Sequence, residues 1–176
     1  AYGTFIARGG GTQVAVGRDC RLSGPQLTAT FVEGILSTGV SVIDLGVVPT
    51  PLVYFALHTI GVDGGACITG SHNPAHWNGF KLCAGTSSMF GEQIQTLRTW
   101  IENENFVHGQ GTRTELNIVE RYMDDMATRV HAPKRPIKVV VDAGNGTGGA
   151  VAVPFYRRLG CEVVELYCEP DGGVPH

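Results

Sequence analysis

Gly65-Ala66-Cys67-Ile68-Thr69-Gly70-Ser71-His72-Asn73-Pro74 is the stretch on which the reading of the chain turns. Its first four residues are an apolar run of the kind that ends a buried strand. Gly70 permits a sharp turn, and Asn73-Pro74 stops regular structure just past the serine. Ser71 therefore stands on a loop at a strand end, where α/β proteins place their chemistry. His72 and, after Asn78-Gly79-Phe80, Lys81 bring an acid/base and a fixed cation towards that hydroxyl, as phosphoryl transfer needs. Turn chemistry alone would also account for Ser-His-Asn at this place.

Outward from the loop, strands and helices alternate. Residues 13–17 read as a first strand with Arg18-Asp19 at its carboxyl end. Ser23-Gly24-Pro25 then opens a helix over 26–38, with Leu27, Phe31, Ile35 and Leu36 at helical spacing. A second strand spans 40–45, Pro49-Thr50-Pro51 launches a helix over 52–59, and 65–69 is the third strand. This order predicts an α/β fold, a mixed and mostly parallel sheet sandwiched between helices. Arg18 and Ser71, both at strand ends, can then face one crevice. A short strand over 79–83 leaves the loop, followed by helices over 91–102 and 118–130, with a polar loop over 103–112 between them.

Ala132-Pro133-Lys134-Arg135-Pro136 has the composition of a linker. It divides a first domain, 1–132, from 137–176, the beginning of a second similar domain. That second part reads as one βαβ unit: strand 137–142, helix 149–159, strand 161–167. One such unit is too small to cover its own sheet, so apolar strand surface around Val139 to Val141 and Val163 to Leu166 is expected to be exposed.

Composition narrows the function classes. The chain has 176 residues, 43% apolar content, mean hydropathy +0.05 and net charge −3, which suits a soluble globular protein with a real core. The absence of a basic run argues against nucleic acid as the main partner, and no apolar run approaches a membrane span. With no signal peptide read at the start, the expectation is a cytoplasmic protein, and a monomer. Five scattered cysteines without a C-x-x-C spacing indicate neither a zinc site nor a disulfide framework, and Cys67 and Cys83 read as core. Asp124-Asp125 is a tempting carboxylate pair, but neighbours on a helix diverge by about 100° and do not converge on one metal. His58, His108, His131 and His176 have no partners at metal spacing, and His76 and Trp77 read as packing within the serine loop.

The string T-G-S-H-N-P followed by N-G-F-K resembles the phosphoserine loop of the α-D-phosphohexomutases, the phosphomannomutase/phosphoglucomutase family. Val16-Gly17-Arg18-Asp19 with Arg21-Leu22-Ser23-Gly24, then Gly46-Val47-Val48-Pro49-Thr50-Pro51, then Val140-Val141-Asp142-Ala143-Gly144-Asn145-Gly146 extend the likeness from about Gln13 onward. The resemblance is strongest to bacterial bifunctional members. It implies interconversion of hexose 6-phosphate and hexose 1-phosphate, of mannose or glucose, through a phosphoserine and a hexose 1,6-bisphosphate. Ser71 would carry the phosphoryl group and, through its phosphate, ligate Mg²⁺. His72 would assist as acid/base, Lys81 would stabilise the transferring group or handle a proton, and Asn73 would shape the loop. Arg18 would support the loop, although Gly17-Arg18-Asp19 reads equally well as an internal ion pair.

Ala1-Tyr2 resembles the start of the family's Ala-Tyr-Asp-Ile-Arg-Gly opening, which makes Tyr2 a candidate substrate contact. The next residues depart from that opening: Phe5-Ile6-Ala7-Arg8-Gly9-Gly10 reads as a helix end, as if a stretch between the two were missing. The family's Asp-Gly-Asp-Gly-Asp-Arg metal loop does not occur in the sequence either. The expectation is that residues 1–176 alone are a catalytically incomplete piece.

One rival motif stays open at this point. Gly144-Asn145-Gly146-Thr147-Gly148-Gly149 satisfies G-x-G-x-x-G after a strand and before a helix, with Glu162 and Glu165 at a distance suited to a ribose. It permits an NAD(P)-binding oxidoreductase fragment, whereas the family resemblance makes the same residues a structural turn. A non-catalytic phosphosugar-binding fragment is a further alternative. Neither a serine-hydrolase elbow nor a Walker A loop fits the residues around Ser71.

Overall fold

Strand β1 (Gln13–Arg18) is the buried axis of the sheet, in a computed structural model that describes residues 1–173 and Pro175. Val14, Ala15 and Val16 are fully buried, because β1 is paired on both edges and covered on both faces. Its neighbours β2 (Ser41–Val47) and β3 (Gly64–Ile68) both run parallel to it. Beyond β3 lie the antiparallel strand β4 (Phe80–Ala84) and the two-residue β5 (Ser87–Ser88); beyond β2 lies the parallel β6 (Arg113–Glu115). The order across the sheet is β5-β4-β3-β1-β2-β6, a mixed and mostly parallel sheet.

Alternation along the strands sends apolar side chains to two separate cores. Val14, Val16, Val42, Ala66 and Ile68 pack with Ile6 of α1 (Tyr2–Arg8), Val32 and Ile35 of α2 (Gly24–Leu36), and Leu97 of α4 (Glu92–Glu102). Ala15, Leu45, Cys67 and Cys83 face the other way. They pack with Leu52, Val53, Ala56 and Leu57 of α3 (Thr50–Thr59) and Ile118 of α5 (Ile118–Arg129). The first 130 residues are thus three layers, helices on both faces of one sheet.

Residues 1–9 place Ala1-Tyr2 on the same helix as Phe5–Arg8 rather than in a separate opening motif. Ala1 stands at the N-cap of α1 and the Phe5 amide bonds to the Ala1 carbonyl at 2.9 Å, so Ala1-Tyr2 and Phe5–Arg8 belong to one continuous helix. Gly3 is where α1 crosses α2. A Cβ there would lie 2.4 Å from Thr38 Oγ1 and 3.1 Å from Ile35 Cα. Tyr2 is corrected with it. Only 4% exposed, its ring stacks on Phe31 and its hydroxyl donates to the Cys83 carbonyl at 2.7 Å and the Gly65 carbonyl at 3.1 Å. Burial pushes the phenol well above its ordinary range, and the residue is a core strut that ties β3 and β4 to α1, with no face left for a substrate.

After α5, strands β7 (Lys138–Asp142) and β8 (Glu162–Leu166) pair in parallel, with α6 (Gly149–Arg158) crossing between them. Val140 is 59% exposed and Leu166 43%, whereas Val141 is buried and Val139, Val163 and Val164 are half-buried, so the apolar surface expected to be open is open only in part. Asp124 and Asp125 point apart, one paired with Arg158 of α6 at 2.7 Å and the other with Arg129 one turn along α5. His58, His108 and His131 are exposed or half-buried at the surface, as is His76; His176 and Val174 lie outside the described residues.

Candidate active site

Two strand ends build the site. Arg18 ends β1 in register with Ile68, which ends β3, so the chain segments beyond them, 19–23 and 69–79, leave the sheet side by side. Asp19 and Arg21 reach across that gap. The Asp19 carboxylate accepts from Thr69 Oγ1 at 2.7 Å, the Gly70 amide at 3.3 Å, Arg21 Nε at 3.0 Å and the Arg21 amide at 3.1 Å. Arg21 is 3% exposed and spends its remaining four N–H groups on loop carbonyls. One terminal nitrogen donates to Pro74 (2.6 Å) and Trp77 (3.0 Å), the other to Ser71 (2.9 Å) and Asn73 (2.8 Å). All five guanidinium donors are therefore satisfied, and the fork acts as a template around which the loop backbone is wound.

Gly70 lies against this template. A Cβ at that position would sit 2.4 to 2.7 Å from the Arg21 guanidinium, which explains a glycine there by close approach. Ser71 comes next in the left-handed region, φ 52°, its amide donating to Thr69 Oγ1 at 2.8 Å and its carbonyl held by Arg21. A non-glycine residue in that region costs on the order of 1–3 kcal/mol and persists only where its surroundings over-determine it, as these bonds do. The outcome is an exposed serine on a rigidly held backbone. Asn78 fastens the far end of the loop, donating to Ser23 Oγ at 2.9 Å and accepting from the Gly79 amide.

Of the residues singled out in the sequence, Ser71, His72 and Asn73 stand in succession on this loop, all exposed, with the Asn73 amide closing a turn onto the Gly70 carbonyl at 3.0 Å. Lys81 re-enters the sheet on β4, half-buried opposite Cys67, and its charge acts on that thiol. Burial pushes the Cys67 and Cys83 thiols up, so both are packing groups and not nucleophiles. Arg18 is corrected as a loop support. Its guanidinium bonds the Asp19 carbonyl at 3.3 Å and lines a separate cavity of about 510 Å³ between α2 and the ends of β1, β2 and β6, with Asp44 and Arg113. The loop is carried by Arg21, which sequence reasoning misses. Arg18 and Arg21 stand three residues apart in one polar segment, and only the direction of the chain after β1 decides which turns inward.

The described residues contain no cluster of three or more acidic, histidine or cysteine side chains able to hold a metal ion. Asp19, the carboxylate bonded to the loop, has both oxygens committed to loop and Arg21 donors. These residues do not by themselves make a magnesium site.

The glycine-rich string occupies the turn from β7 into α6. Asn145, at φ 55°, bonds the Tyr167 carbonyl through its amide and the Glu169 carbonyl through its side chain. Gly149, the first residue of α6, lies so close to Cys168 that a Cβ would be 2.5 Å from the Cys168 carbonyl oxygen. Close backbone packing accounts for Gly149 and a left-handed φ of 52° for Gly144. A calorimetric titration with NAD or NADP is expected to give no heat above dilution; micromolar affinity would restore the dinucleotide reading, because a pyrophosphate at that helix start is its physical content.

A three-layer α/β/α domain that displays a serine on an arginine-wound loop at the strand ends defines the class: a fold built around one presented hydroxyl. The comparisons give the family. Residues 1–108 match the family model described as phosphoglucomutase/phosphomannomutase, alpha/beta/alpha domain I, and residues 120–176 match that of domain II. The chain belongs to the phosphoglucomutase/phosphomannomutase family. It is 43% identical over 163 residues to a phosphomannomutase/phosphoglucomutase of Pseudomonas aeruginosa, covering 93% of this chain and 35% of that protein. To a phosphoglucomutase of Neisseria gonorrhoeae it is 45% identical over 178 residues, covering 100% of this chain and 38% of the other. A crystal structure of a phosphoglucomutase/phosphomannomutase family protein from Burkholderia thailandensis superposes with a TM-score of 0.93 at 39% identity, over 99% of this chain and 40% of that one. The chain thus spans well under half the length of these relatives. Nothing in the comparisons supports the oxidoreductase alternative.

Proposed function

We propose that this chain carries the phosphoryl-bearing part of a phosphosugar mutase that interconverts hexose 6-phosphate and hexose 1-phosphate of mannose, glucose or both. The observation that carries the reading is Ser71, exposed and in a left-handed conformation on a loop whose carbonyls converge on buried Arg21. In the first half-reaction a sugar hydroxyl attacks the phosphorus on Ser71. The bond from phosphorus to Ser71 Oγ breaks, a bond to the sugar oxygen forms, and the hydroxyl proton passes to a base while Oγ regains a proton. The product is a hexose 1,6-bisphosphate. Once the sugar has turned, Oγ attacks its other phosphoryl group and the exchange runs in reverse. Little covalent chemistry is asked of the protein, so the rate depends on positioning and on charges opposite the phosphoryl oxygens.

In this reading Lys81 opposes the charge of the transferring group, His72 serves as acid/base and Asn73 shapes the loop. Mg²⁺, when bound, neutralises phosphoryl charge; phosphorylated Ser71 is the one described residue assigned to it, and its other ligands come from outside these residues. Hexose 1,6-bisphosphate is the activator. We place the division between the two domains at residues 132–136, supported by the packing of α5 on α3 through Tyr122 and Phe55. No helix among the described residues is long and apolar enough to cross a membrane. A monomer in the cytoplasm is the state proposed.

The test is an assay of the full-length protein with mannose 1-phosphate or glucose 1-phosphate, Mg²⁺ and the bisphosphate. Conversion to the 6-phosphate that depends on the bisphosphate is expected. Binding of the sugar phosphate without conversion would reduce the chain to a phosphosugar-binding module. Residues 1–176 expressed alone are expected to give no robust turnover, since the described residues gather no metal site.

A further inference from the structure

We infer that the turn over residues 19–22 is a two-sided coupler through which the β7–α6–β8 unit sets the position of Ser71. This goes beyond the proposed reaction but rests on it, since it assigns Cys20, Leu22 and Gly172 as positioning residues for the serine loop. The turn alternates its partners. Asp19 and Arg21 face the loop and hold Thr69, Gly70, Ser71, Asn73, Pro74 and Trp77 by the bonds described above. Cys20 and Leu22 face the other unit. The Cys20 thiol lies 3.6 Å from the Asn145 carbonyl oxygen and 3.8 Å from that of Asp171.

Gly172 completes the contact. A Cβ built on it would be 2.7 Å from Leu22 Cδ2 and 2.8 Å from the Cys20 carbonyl oxygen, so the backbone of the second unit lies directly on the backbone of the turn. That surface is itself braced, because the Asp171 amide bonds the Asn145 carbonyl at 2.8 Å and Asn145 bonds the Tyr167 and Glu169 carbonyls. A path of direct contacts therefore runs from the β7–α6 turn through Gly172 and Cys20 to Arg21 and the Ser71 carbonyl. Arg21 is buried, with every guanidinium donor engaged, and cannot absorb a shift of its own backbone without releasing loop carbonyls. Since a displacement of about 1 Å can cost about 100-fold in rate, this contact is placed to matter for phosphoryl transfer.

The test is made in the full-length protein. Gly172→Leu forces the second unit off the turn; Leu22→Ala, at a residue 81% exposed, loosens the same contact with little risk to folding. Gly148→Ala is the control, since a Cβ there meets nothing within 4 Å. Two readouts are taken: hydrogen exchange of peptides covering residues 69–79, and kcat with KM. Gly172→Leu is expected to speed exchange in that loop about tenfold, with strand β1 unchanged. It is expected to lower kcat about 10- to 100-fold, with KM close to the control value. Leu22→Ala should move both readouts the same way by less. Folded Gly172→Leu with loop exchange and kcat equal to the control would overturn the coupling; if that variant does not fold, Leu22→Ala showing no change in either overturns it. Absence of mutase turnover in the parent protein would refute the proposed reaction instead, and loop exchange would still decide the coupling.

Discussion

Ser71→Ala in the full-length protein is expected to lower bisphosphate-dependent mutase turnover by about 10⁴-fold or more, with the fold intact. The size comes from the chemistry. The hydroxyl both gives up a phosphoryl group and receives one back, and alanine can do neither. Water in its place would hydrolyse the bisphosphate and not return it to the sugar. Stability should change little, because Ser71 is exposed and its amide and carbonyl, which make the loop's hydrogen bonds, are kept by alanine. The left-handed φ of 52° costs alanine somewhat more than serine, a small term beside the loss of the carrier. Turnover within a few-fold of the parent would remove Ser71 from the mechanism.

Arg21→Ala should act by a different route and harm both stability and activity. The substitution leaves four loop carbonyls without their donor and the Asp19 carboxylate without its cation, in a place where Arg21 was 3% exposed. Breaking a buried pair of this kind costs roughly 3–5 kcal/mol, a large part of the stability of an ordinary domain. Arg21→Lys should recover little of it, since one ammonium cannot reproduce a planar fork that serves four carbonyls and a carboxylate. Denaturant unfolding of the three proteins measures the cost. A loss below about 1 kcal/mol for Arg21→Ala would mean that the loop holds itself, as surface pairs do. Arg18→Ala is the informative companion, because that side chain leaves the loop carbonyls untouched.

How far the sequence speaks depends on what each residue answers to. β1, β2 and β3 are legible because two-sided burial demands continuous apolar runs, and α2, α3, α4 and α5 because their apolar positions repeat at helical spacing. β6 is not legible. Arg113-Thr114-Glu115 is polar and exposed, and becomes a strand only because the edge of β2 offers it hydrogen bonds. The start of α1 misleads because Ala1-Tyr2 matches the family's opening by residue type, whereas Tyr2 answers to the packing of α1 on β3 and β4. At the site, the serine and its loop are plain in the residue string, since Gly70 and Asn73-Pro74 are local signals. Asp19 and Arg21 are not, because their role is set by two strand ends meeting about fifty residues apart in the chain. The G-x-G-x-x-G string carries its ambiguity to the end of what sequence can say, because close packing of its third glycine suits both readings; the match of residues 120–176 to the family's domain II decides between them.

The central claim is that Ser71 is the phosphoryl carrier, and the direct measurement is where the label goes. Full-length protein, first dephosphorylated, would be incubated with hexose 1,6-bisphosphate, quenched in acid, digested and sequenced by mass spectrometry. The account predicts one phosphoryl group, on Ser71, in the peptide spanning residues 69–81, and its return to added hexose monophosphate at a rate no slower than turnover. Turnover with Ser71 unmodified, or with the phosphoryl group on any other residue, would contradict it.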